Sequence, residues 1–173
     1  MKKLILSLAI LSTIFTGCSS DNESDTVIIP QTGEISGDIT ANKTFEYGNY
    51  TLKGIVKVKA GVTLTFDAGS TITCDKINGD NALLVENGGK LIINGTESAP
   101  VVFTEVSKIP GSWGGIIMYG DAPIKALGGV STATSEDGMS LPYGGTNATH
   151  NGGSLNYVRV EYAGKNWLTE PKN

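Results

Sequence analysis

The stretch VKVKAGVTLTF, Val56 to Phe66, returns 27 residues later as LLVENGGKLII, Leu83 to Ile93. Val58 falls on Val85, Gly61 on Gly88, Leu64 on Leu91 and Phe66 on Ile93. Related pieces follow: GGIIMYGDAPI from Gly114 and GGSLNYVRVEYAG from Gly152. Inside the first piece, Val56, Val58, Val62, Leu64 and Phe66 share one side of extended chain, and Lys57, Lys59, Thr63 and Thr65 the other. Period two with β-branched residues specifies strands. Gly61, Gly69, Asn78-Gly79, Asn87-Gly88 and Asn94-Gly95 supply the corners. A hairpin sheet also alternates, but nothing obliges it to repeat its pattern at every pass. A solenoid must repeat, because each coil stacks its strands on the coil before and buries an apolar face that no single coil covers. From Ile35 onward no helical pattern competes.

Four segments follow in order: TLKGIVKVKAGVTLTFDAGSTI, GTESAPVVFTEV, GSWGGIIMYGDAPI and YGGTNATHNGGSLNYVRVEYAG. Together they resemble the coils of bacterial right-handed parallel β-helix proteins of the pectate-lyase-like type, many of them surface lipoproteins. The resemblance runs from Ile35 to Gly164. It implies an all-β right-handed parallel β-helix of about four coils, occupying residues 35–173. It implies little chemistry, because this fold hosts lyases, adhesins and plain spacers. The pattern breaks over 121–151, a polar stretch rich in glycine, serine and threonine. We expect an excursion there from one corner of the helix.

The chain begins with Lys2, Lys3 and an apolar run from Leu4 to Phe15. That run is shorter than the roughly 20 residues a membrane-spanning helix needs, and it reads as a secretory signal over 1–17. FTGC, Phe15 to Cys18, resembles the lipobox of bacterial lipoproteins, in which cleavage leaves a cysteine carrying acyl chains. Gly17 and Cys18 match it, and Phe15 and Thr16 match more loosely. The resemblance makes Cys18 the lipid attachment. Two or more acyl chains hold a protein stably on a membrane, where one is marginal. Residues 18–34 then form a flexible tether, polar and acidic in SSDNESD. Ser19 in place of aspartate implies the outer membrane. SSDNESD also resembles a surface-export tether, and Asp25-Thr26-Val27 an O-glycosylation site at Thr26.

Of 13 basic side chains, Lys2 and Lys3 leave with the signal, and 17 acidic ones remain unaffected. An acidic chain lacks the basic face that nucleic acid or an anionic membrane surface requires, so no nucleic-acid partner is expected. Once Cys18 is lipidated, Cys74 is the one remaining thiol, and no internal disulfide can form. Glycine at 23 of 173 residues and only 17% charged residues fit many short strands joined by turns.

A lyase of this fold would want carboxylates around Ca²⁺ and a lysine or arginine base. Arg159, the sole arginine, alternates with Val158 and Val160 and should point outward near Glu161. Asp67, Asp75 and Asp80 lack metal-loop spacing, as does Ser135 to Gly138. His150 is the sole histidine and is expected on a surface loop. No catalytic residue, metal or cofactor is therefore assigned. Trp113, Tyr119, Tyr143, Tyr157, Tyr162 and Trp167 fall in the second half. They stack either on each other between coils or, if exposed in a row, on sugar rings. Trp113 and Tyr143 flank the excursion and are the first candidates for a ligand surface.

After Gly164 the pattern fades into KNWLTEPKN, a short cap for a solenoid. A truncated member of a longer family, or a second chain covering that end by self-association, are the two expectations. Three functional readings stand: a lipid-anchored, non-enzymatic binder of a glycan or surface protein, a polysaccharide-active enzyme or a piece of one, and a spacer. An exposed aromatic row would favour the first. A face with three acidic residues and a base would favour the second.

Overall fold

The computed structural model describes residues 28–75, 80–125 and 128–165. The signal, Cys18, Thr26 and Trp167 lie outside them. Among the described residues every regular element is a strand. A first pass holds β1 (Gln31–Ile39) and β2 (Lys43–Phe45), and a second holds β3 (Gly48–Val58) and β4 (Thr63–Asp67). The third holds β5 (Thr71–Cys74), β6 (Ala82–Val85) and β7 (Lys90–Asn94). The fourth holds β8 (Val101–Glu105) and β9 (Ile116–Met118). It then leaves the helix through β10 (Thr132–Thr134) and β11 (Pro142–Gly144), and returns as β12 (Gly153–Asn156). β13 (Val158–Val160) begins a fifth pass.

Strands of successive passes pair in parallel, and among the described residues only β10 and β11 pair antiparallel. β3 is long enough to serve two faces. Asn49–Leu52 pairs with β5, and Ile55–Val58 with β6. β1 follows the same bend through a register shift between Ser36 and Asp38. β12, β7, β4 and β2 make the third face. The chain is thus a parallel β-helix. Its first strand opens at Gln31, so residues 31–34, expected in the tether, pair with β3 instead.

The 27-residue offset is one coil. Val58 lies beside Val85, Leu64 beside Leu91 and Phe66 beside Ile93. The Gly88 carbonyl accepts from the Gly61 N–H at 2.9 Å, and both glycines turn the corner at positive φ, 78° and 84°. The later pieces also stack, with Leu83 beside Ile116 and Leu91 beside Gly153. Their spacing differs because extra chain enters at corners, where it leaves strand register untouched.

Alternation decides what is inside. Val56, Val58, Leu64, Phe66, Leu91 and Ile93 are fully buried, and taking each such side chain out of water is worth about 1.5–3 kcal/mol. Aromatic rings form a stack along the axis: Phe45 on Phe66 at 5.2 Å, Phe66 edge-on to Phe103 at 5.2 Å, and Phe103 on Trp113 at 6.5 Å. Where Leu52 and Cys74 point inward, the next coil carries Glu105. Its buried carboxylate accepts from the Ser107 N–H at 2.8 Å, the Ser107 hydroxyl, and the Ser112 hydroxyl at 2.9 Å, which pins the turn after β8.

Candidate functional site

The excursion is not structureless. β10 and β11 form a hairpin that docks on the outer side of the second face. Met139, Leu141 and Tyr143 pack against Ala82, Leu84 and Tyr119. β6 reads ALLV and is buried throughout, since a strand covered on both faces need not alternate. Asp137 fastens the hairpin. It accepts from the Tyr119 hydroxyl, from Ser135 Oγ at 2.8 Å and from the Met139 N–H at 3.0 Å. Burial pushes the Tyr119 phenol up to about 12, and the bond to Asp137 adds to this. Burial alone would raise Asp137, but the hydrogen bonds from Tyr119, Ser135 and Met139 outweigh it and hold the carboxyl below its ordinary range.

The hairpin's return leaves a polar cleft of about 320 Å³. Gly88 and Lys90 line it from the helix, and Asp121, Asn147, Thr149, His150 and Asn151 from the excursion. Backbone pairing seats this segment. Gly144 N donates to Gly120 O at 2.7 Å, and Asn147 N to Asp121 O at 3.1 Å. Asn87 Nδ2 reaches Gly144 O at 3.0 Å, tying the helix corner to the hairpin. The turn then closes on itself. Asn147 Oδ1 accepts from Thr149 N and Oγ1, each at 3.1 Å, and Asn151 Oδ1 accepts from Gly153 N at 2.8 Å. Both asparagine oxygens are engaged with the turn, and their NH₂ groups are left as donors. A Cβ at Gly145 would lie 1.8 Å from Asp121 Oδ1, so only glycine lets that carboxylate rest there. The His150 ring lies beside the backbone of Gly120 and Gly152. A smaller hollow of about 230 Å³, lined by residues that include Gln31, Glu46 and Tyr50, opens at the first coil.

The sequence-based candidates distribute unevenly. Trp113 is fully buried, stacked on Phe103, and its Nε1 donates to Glu161 O at 2.7 Å. It presents no ring face to a ligand, so it is withdrawn from the ligand surface. Tyr143 is half-buried in the hairpin's apolar contact and is not an open platform either. Tyr119 is buried and Tyr157 is exposed, so among the described residues these rings form no exposed row. Arg159 points outward and pairs with Glu161 at 2.8 Å, as alternation suggested. Cys74 is buried, and desolvation, with Glu105 nearby, pushes its thiol up to about 12. Among the described residues no group of three His, Cys, Asp or Glu side chains gathers to hold a metal ion. His150 sits half-buried in the cleft. Sequence reasoning passed over Lys90, Asp121, Asn147, Thr149 and Asn151. Their signal was a polar run, TNATHN, bracketed by the glycine pairs Gly144-Gly145 and Gly152-Gly153.

Comparison with known proteins agrees with this fold. The family model described as pectate-lyase like beta helix domain matches residues 37–173. The chain belongs to that family. No curated protein matches the chain, and no solved structure does.

Proposed function

We propose that this chain is a lipid-anchored protein of the outer membrane, displayed on the cell surface, that binds a glycan or a surface protein without transforming it. Lipidation of Cys18 holds it, and the tether, with O-glycosylation at Thr26, carries the β-helix clear of the bilayer. The polar cleft between Lys90 and the returning excursion is the observation that carries the binding reading. Hydrogen bonds on both sides seat its walls before any ligand arrives, which lowers the ordering cost of binding. The aromatic platform considered from sequence plays no part, because Trp113 and Tyr119 lie inside.

Two experiments test it. Cys18→Ala is expected to move the protein from the membrane pellet to the soluble fraction, and equal pelleting would remove the anchor. The full-length chain in detergent micelles is expected to bind a subset of a glycan array or a surface-protein panel. No binding on either would leave a spacer.

A further inference from the structure

Resting on that binding reading, we infer that the cleft takes a single neutral, hydroxyl-rich ring, the terminal unit of an uncharged glycan, end-on. Its chemistry excludes the alternatives in turn. No aliphatic side chain and no Phe, Tyr or Trp lines it, so an apolar ligand finds no surface to rest on. One ammonium, Lys90, is offset by one carboxylate, Asp121, so neither a polyanion nor a polycation gains a net field. The chain as a whole carries −4, which opposes a polyanion further. What remains is a mixed set of donors and acceptors: an ammonium, a carboxylate, two amides, a hydroxyl and an imidazole. Adjacent sugar hydroxyls both donate and accept, and they can satisfy such a set pairwise. A volume of about 320 Å³ lies at the low end of the range of roughly 300–1,000 Å³ for small-molecule sites. It therefore seats one ring, and the rest of the glycan lies outside. The sole histidine reports on the site, because His150 lines the cleft and its imidazole signals need no assignment against others.

The test is an NMR titration of the full-length chain in detergent micelles with neutral oligosaccharides, and separately with their free terminal monosaccharides. The His150 imidazole signals are expected to shift saturably with an oligosaccharide and with its terminal monosaccharide alike. Lys90→Ala is expected to weaken binding about tenfold, and Thr149→Trp, which fills the cleft from an exposed position, to abolish it. Unchanged His150 signals at an oligosaccharide concentration that saturates binding would overturn the cleft while leaving glycan binding intact. So would equal affinity of both variants. Binding of acidic glycans alone would overturn the neutral-ring inference. Failure of every glycan to bind would overturn the inference together with the glycan arm of the binding reading.

Discussion

Leu91 sits in β7 between Leu64 of one coil and Gly153 of the next, fully buried. Leu91→Asp places a carboxylate in that apolar stack, at a cost of several kcal/mol, approximately. For a chain of this size the melting temperature is expected to fall by roughly 10 °C or more, while Lys90→Asp on the exposed side leaves it unchanged. Equal melting of the Leu91 variant and the parent would contradict the inward assignment. Cys74 yields a second residue-scale prediction. With its thiol pushed up to about 12, almost no thiolate exists at mildly alkaline pH, and burial shields the sulfur. A lipidated Cys18 has no free thiol either. A thiol reagent is therefore expected to find none in the native protein and one after denaturation. A reactive thiol in the native state would count against lipidation or against this burial. Val56 and Val58 of β3 and the inward residues of β4 and β7 were legible from alternation and the repeat. Trp113 was not, because a tryptophan reads the same in a sequence whether it stacks on Phe103 or on a sugar.

The hairpin is the element whose attachment is most localised. Asp137→Ala removes the acceptor for Tyr119, Ser135 and the Met139 N–H. Proteolysis within 128–145 is expected to rise about tenfold while the helix itself melts nearly as before, since local opening and global unfolding are separate events. Acid should act similarly. Asp137 has a folded-state value below its ordinary 3.8, so its contribution is present above that value and is lost as pH falls through the lower, folded one. Hairpin nicking is expected to rise under those acidic conditions in the parent and to lose that acid step in Asp137→Asn. A hairpin equally protected in Asp137→Ala would show that apolar contact alone holds it. The strands differ too. β6 and β7 are flanked on both sides, whereas β12 and β13 pair on one side among the described residues. Amide exchange is expected to be faster over Gly153–Val160 than over Ala82–Asn94. The polar break at 121–151 was legible as an excursion. Its hairpin was not, because the apolar residues that dock it, Met139, Leu141 and Tyr143, are scattered among turn residues. The unbroken ALLV of β6 was the available sign that something covers the outer face.

Across the whole molecule, the coil stack was the legible part, and the cleft the illegible one. A coil is written in local period and in one repeated offset, both of which sequence preserves. The cleft joins Lys90 to Asp121 and His150 across an excursion that obeys no period, so only folded register brings them together. Anchor, tether, stack and cleft form one proposal: a rigid body held at the cell surface with a pre-seated polar site. The most direct test is capture of whole cells on a glycan array, comparing cells that make the parent with cells that make Cys18→Ala. The parent's cells are expected to be retained on the glycans that the purified chain binds. Cells of the variant are expected to wash away, although the purified variant still binds. Equal retention of both cell types, or of neither while the purified parent binds, would contradict lipid-anchored display.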